Sequence, residues 1–79
     1  MALQMKYFGM VAQALGRAEE QRAIDGLADT EALRQRLIEE CPNLANIPFN
    51  IAVDCTLAQT PIALQDDMEI ALLPPFAGG

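Results

Sequence analysis

Seventy-nine residues suffice for one small domain, since a typical domain uses about 100 to 200. With 52% hydrophobic and 20% charged residues the chain is too apolar for disorder and has enough aliphatic volume for a single core. It contains no His, no Trp and no Ser, which excludes Ser-His and Cys-His nucleophile systems, His-ligated metal centres and any carrier role built on a modified serine. The net charge of −6 repels nucleic-acid phosphates. Acidic faces of this kind either keep a protein in solution or steer it toward basic partners.

At the amino terminus, Gln4 and Lys6 interrupt the apolar residues from Met1 to Phe8, and neither an apolar signal core nor a small-residue cleavage site follows. The longest uncharged stretch, Cys41 to Val53, contains Pro42 and Pro48 and falls short of the ~18 apolar residues of a membrane span. A cytoplasmic protein that binds neither membrane nor nucleic acid is therefore expected. Cys41 and Cys55 lack CxxC spacing and have no His to complete a zinc site, so they read as reduced, partly buried small hydrophobes.

Leu3, Met5 and Tyr7 alternate with Gln4 and Lys6, which predicts a strand with one buried face ending at Gly9. Met10 to Leu15 suits a short helical turn closed by Gly16, and Glu20 to Ile24 an exposed second strand, hairpin-paired with the first. Asp29-Thr30-Glu31 opens the strongest element: either Asp29 or Thr30 can cap free N–H groups, and Glu31 suits the positive end of the helix dipole. A helix over Thr30 to Cys41 follows, with Leu33, Leu37, Ile38 and Cys41 forming its apolar stripe, and Pro42 stops it. Phe49, Ile51 and Val53 alternate as a third strand, Cys55 to Ala58 form a short fourth segment, and Glu69 to Leu73 make the last strand after a turn at Gln65-Asp66-Asp67. Two strands, a helix and two or three further strands bury every one of these stripes as an α+β fold of the β-grasp, ubiquitin-like type, a mixed sheet of four to five strands packed on one main helix. Residues 1–73 form this domain, and 74–79 form a tail.

That tail reads Pro74-Pro75-Phe76-Ala77-Gly78-Gly79. A bare terminal Gly-Gly is compatible with simple fraying. An acidic β-grasp-like chain that runs from its last strand into PPFAGG, however, resembles the MoaD branch of the MoaD/ThiS sulfur-carrier family, the small subunits of molybdopterin synthase. The phrases LQMKYFGMVAQALG, TEALRQRL, AVD and LQDDMEIALLPP carry the same likeness along the whole chain. Two departures stand out: Asp67-Met68 replaces the usual Gly-Asp before the final strand, and Asp54 stands where many members have Asn.

The resemblance implies that Gly79 bears the working group, its terminal carboxylate. With an ordinary pKa of ~3.5 that group is ionised and a poor electrophile. In the family an ATP-dependent, MoeB-like enzyme related to ubiquitin-activating enzymes adenylates it, a sulfur donor displaces AMP to leave a thiocarboxylate, and the sulfur passes to cyclic pyranopterin monophosphate. Two such deliveries build the molybdopterin dithiolene. The resemblance thus implies a carrier rather than an enzyme: catalytic residues lie in a MoaE-like large subunit, the complex is a heterotetramer, no cofactor is bound directly, and ATP is used by the activating enzyme.

Gly78 and Gly79, lacking Cβ atoms, can thread a narrow channel. Six residues from Pro74 span at most ~20 Å, and Pro74-Pro75 favours a stiff polyproline exit. Phe76 and Ala77 complete the partner-binding segment, with Phe76 either anchoring in an apolar groove of the partner or folding back on its own domain. Asp66, Asp67 and Glu69 are read as solvated, with no metal assigned. Arg34 and Arg36 either pair with helix glutamates or meet a partner, and Phe8, opposite the core face of its strand, is either a partner contact or covered by the chain itself. A carrier for thiamine or tRNA thiolation and a non-catalytic β-grasp interaction module remain the alternatives.

Overall fold

The computed structural model describes residues 2–75. Its elements run in the predicted order: β1 (Ala2–Tyr7), α1 (Gly9–Leu15), β2 (Glu19–Ala23), α2 (Thr30–Glu40), β3 (Asn50–Val53), β4 (Thr56–Leu57) and β5 (Glu69–Leu73). Among the described residues the five strands form one mixed sheet ordered β2-β1-β5-β3-β4. β1 runs parallel to β5, with Met5 opposite Ile70, and antiparallel to β2, while β3 is antiparallel to both β5 and β4. The expected β-grasp of four to five strands on one main helix is therefore realised with five.

Alternation in β1 does what its sequence requires: Leu3, Met5 and Tyr7 are buried, and they meet Leu33 and Leu37 of α2 and Ile70 and Leu72 of β5 in one core. Asp29 caps α2, its Oδ1 accepting the Ala32 N–H at 2.9 Å. The other candidate, Thr30, is buried and uses its hydroxyl differently, accepting the Ile62 N–H at 3.1 Å and so tying the segment before β5 to the start of the helix. At the far end α2 stops one residue earlier than expected, and Cys41 donates its N–H to the Leu37 carbonyl at 2.9 Å. Pro42 then opens a 3-10 helix over Pro42–Asn46 that the sequence did not suggest. Its fixed φ suits a first helical turn, and the turn drops Leu44 into the core.

The tight turns fall on residues able to take positive φ. Asp67, standing where the family usually has Gly, has φ 64°, and Asp54 has φ 47°. Asp tolerates this region because its short polar side chain bonds locally, and Asp54 Oδ1 accepts the Glu69 N–H at 2.9 Å. Both departures from the family pattern are thus accommodated. Cys55, expected to be partly buried, is exposed in that turn with φ 72°, because the reversal between β3 and β4 turns its side chain outward. Cys41 is partly buried, and both cysteines are free.

β2 begins and ends one residue earlier than expected. Its half-buried residues are charged: Glu20 accepts a hydrogen bond from the Tyr7 hydroxyl, and Arg22 grips the Glu40 carboxylate in a two-pronged pair, Nη1 to Oε2 at 3.0 Å. Burial, reinforced by Glu20, pushes the Tyr7 hydroxyl far above its usual range. The hydrogen bond from Arg22 holds the Glu40 carboxyl low. Inward-facing charges on an edge strand also discourage edge-to-edge pairing with another sheet.

Glu40 has a folded pKa below its unfolded one, so its contribution is present above the unfolded value of about 4.3 and is lost as pH falls through the folded value. Glu40→Gln should therefore lower stability at about pH 7, with the gap to the natural protein closing in acid. Urea midpoints across the acid range check this, and a gap independent of pH would refute it.

Candidate functional site

Three pieces of chain meet where the last strand ends. β1 delivers Phe8, whose N–H donates to the Leu72 carbonyl at 3.2 Å. Gly9 then turns with φ 58° into α1, and β5 passes through Leu73 into Pro74. A Cβ placed on Gly9 would stand 3.1 Å from Pro74 Cγ. Glycine is needed there on both counts, for positive φ and for the close approach of the proline ring. Pro74 has no N–H with which to extend the sheet, so β5 pairing ends at Leu73 opposite Asn50 and the chain is directed across the start of α1.

The two prolines expected to bind a partner are both placed, Pro74 half-buried against Gly9 and Pro75 exposed. Phe76, Ala77, Gly78 and Gly79 lie outside the described residues.

Around this exit the surface is apolar. Phe8 is 43% exposed, Met10 63% and Leu57 41%, the large hydrophobic side chains left open among the described residues. Phe8, Met10, Val11, Ile47, Pro48 and Pro74 line a hollow of about 280 Å³. On the sheet face turned away from α2 the strand register sets Lys6 beside Ala71, Ala71 beside Ala52 and Ala52 beside Leu57, with Leu73 on the same face. An apolar strip therefore crosses from Leu57 on the outer strand toward the tail root. Ala52 within it is buried, so the exposed apolar area lies toward its ends, at Leu57 and at Phe8, and exposed apolar area marks sites of association. Phe8, left open between two readings, is uncovered by the described chain. Met10 and Leu57 were missed as contacts. The signal for Met10 was available, since it falls off the Val11–Leu15 spacing that turns α1 inward.

Other suggestive residues have ordinary occupations. Asp66 Oδ1 accepts the Ala2 N–H at 2.8 Å, and Glu69 lies 3.7 Å from Lys6. Among the described residues no group of three potential metal ligands converges, and no helix is long and apolar enough to cross a membrane. Arg34 sits 5.4 Å from the centre of the Phe49 ring and 3.9 Å from Glu31, so its charge is occupied within the domain.

Comparison with known proteins bears on the same features. The ThiS family model matches residues 5–79. A molybdopterin synthase sulfur carrier subunit from Caenorhabditis briggsae is 32% identical over 82 residues, spanning 99% of this chain and 98% of that protein. Among solved structures, a putative molybdopterin converting factor subunit 1 from Pyrococcus furiosus superposes with a TM-score of 0.84 at 20% identity, over 95% of this chain and 98% of the other. The Haloferax volcanii small archaeal modifier protein 1 gives 0.77 at 21% identity, over 94% and 97%. These two structures share the ubiquitin-like β-grasp fold with this chain. A match over nearly the whole sequence, joined to a relative similar from end to end, establishes that the chain belongs to the ThiS family of ThiS/MoaD sulfur carriers.

Proposed function

We propose that this chain is the sulfur-carrier subunit of a molybdopterin synthase, acting in the cytoplasm. The observation that carries the reading is the tail root: a stiff Pro74-Pro75 exit set by Gly9 and bordered by the exposed apolar side chains of Phe8 and Met10, with Leu57 exposed farther out on β4. The name of the 32%-identical relative points to the pterin pathway rather than to thiamine or tRNA thiolation. In this reading a MoeB-like enzyme spends ATP to join the Gly79 carboxylate to AMP. A sulfur donor then displaces AMP, leaving a thiocarboxylate. A MoaE-like large subunit receives the tail and supplies the catalytic residues that move the sulfur onto cyclic pyranopterin monophosphate. The chain itself binds no cofactor and contributes position: the folded body docks, and the tail from Pro74 reaches at most ~20 Å into the partner.

The test is mass spectrometry of the protein after incubation with ATP, an activating enzyme and a sulfur donor. Exchange of one oxygen for sulfur at Gly79 supports the carrier reading, and its absence under conditions that load a known carrier defeats it. The docking face has its own test. Phe8→Asp and Leu57→Asp each place a charge in the proposed contact, and each should weaken binding to the large subunit about thirty-fold, corresponding to roughly 2 kcal/mol. Circular dichroism should still report a folded protein. Unchanged affinity in both variants would move the interface elsewhere.

A further inference from the structure

Taking the chain as the small subunit of a synthase, as proposed above, we infer that α1 and the 3-10 helix form a second contact surface for the large subunit, one that accepts an uncharged face bearing an aliphatic side chain and neutral hydrogen-bonding groups. Two stretches of sequence, 8–16 and 41–53, carry no charged residue in a chain that is 20% charged. Distant in sequence, they meet in the fold: α1 packs beside the 3-10 helix, and the Cys41 thiol donates to the Ala14 carbonyl at 3.6 Å. Val11 and Leu44 turn inward to the core. That leaves Met10 and Gln13 exposed on α1, three residues apart and so on one side of it. Asn43 and Asn46 are exposed on the 3-10 helix, whose three-residue repeat sets them in line.

Met10, Gln13, Ala14, Asn43, Asn46 and Ile47 line a hollow of about 440 Å³ that shares Met10 and Ile47 with the one at the tail root. Neither lining contains a charge, whereas two hollows elsewhere carry Glu31 and Arg34 or Lys6, Glu19 and Glu20. A charged group of a partner pressed onto this surface would lose its water and find no counter-charge. Gln13, Asn43 and Asn46 offer both donors and acceptors and so match backbone or amide groups instead, while Met10 adapts its shape to an aliphatic neighbour. Position identifies the partner, because the surface begins at Pro74 and Pro75, where a protein that receives the tail comes up against the domain. With the net charge of −6 carried elsewhere, acidic groups set the rate of encounter and this face the rate of release.

The test measures binding of the full chain to a MoaE-like large subunit. Gln13 and Asn43 are exposed, so charges placed there leave the fold intact, which circular dichroism checks. Asn43→Asp, Asn43→Lys, Gln13→Glu and Gln13→Lys should each weaken binding about tenfold, chiefly by faster dissociation, whatever the sign of the charge. Gln13→Met, which adds no charge, should bind like the natural chain. Opposite effects of the two signs would reveal a charged partner surface and overturn the inference, as would a Gln13→Met chain as weak as Gln13→Glu. So would a dimer of the isolated chain, seen by sedimentation, that the same four charges dissociate, since a second copy would then be the occupant. If the four charged variants bind normally while Phe8→Asp binds weakly, this surface is idle and the docking reading stands; if Phe8→Asp and Leu57→Asp bind normally too, both fail.

Discussion

Appending one alanine after Gly79 will abolish thiocarboxylate formation while leaving assembly with the large subunit intact. The extra residue moves the terminal carboxylate by ~3.5 Å and places a Cβ where two glycines otherwise keep the chain slim. Reactions that depend on held geometry lose about a hundredfold for a misplacement of about 1 Å, so sulfur loading should fall below detection in the mass-spectrometric assay. The apolar strip from Leu57 to Phe8 lies on the folded body, and binding measured in parallel should be close to that of the natural chain. The pairing of the two measurements separates the proposals: an extended chain that loads sulfur normally contradicts carriage at Gly79, and one that fails to bind as well points to a defect in docking. A β-grasp interaction module whose tail is incidental would be indifferent to the change in both.

Leu33→Ala should bring the protein close to unfolding. Leu33 is fully buried, on the stripe of α2 that faces the sheet. Large-to-small changes at such sites cost about 2 to 5 kcal/mol through lost burial and the cavity left behind. A domain of this length has only about 4 to 12 kcal/mol of total stability. A urea midpoint lowered by a large fraction of its value is the expected result, with Leu33→Met, which keeps the volume, costing less than about 1.5 kcal/mol. Equal effects of the two changes would mean that the packing of α2 on β1 and β5 is not what holds the fold.

Where the sequence was read correctly, one physical rule governed each segment. Period-two alternation is decisive in β1 and β5 because each has one face against α2 and the other turned away. The Asp29 cap and the Leu33–Leu37 spacing define α2 because both follow from helix geometry alone. In β3 the rule fails: Ile51, Ala52 and Val53 are all buried, in a strand that lies inside the sheet between β5 and β4, with the small Ala52 set between Ala71 and Leu57 in the register. Glu20 and Arg22 looked solvated because they are charged, yet both are half-buried, with Glu20 accepting from Tyr7 and Arg22 pairing with Glu40. The 3-10 helix was hidden because one apolar residue, Leu44, among Pro, Asn and Ala gives no period to detect.

The candidate site divides the same way. PPFAGG is legible because its chemistry is contiguous. The hollow is not, since Phe8 and Met10, Ile47 and Pro48, and Pro74 come from three distant stretches that only the parallel pairing of β1 with β5 and the turn after α2 bring together.

The position of β5 in the sheet has a mechanical consequence. The strand that leads into the tail is hydrogen-bonded along both sides, to β1 and to β3, rather than lying at a margin. Tension applied to the tail along the strand is opposed by shear across both ladders at once, whereas a marginal strand could be peeled away bond by bond. A partner that grips and draws in the last six residues can therefore haul on them without unravelling the domain that delivers them.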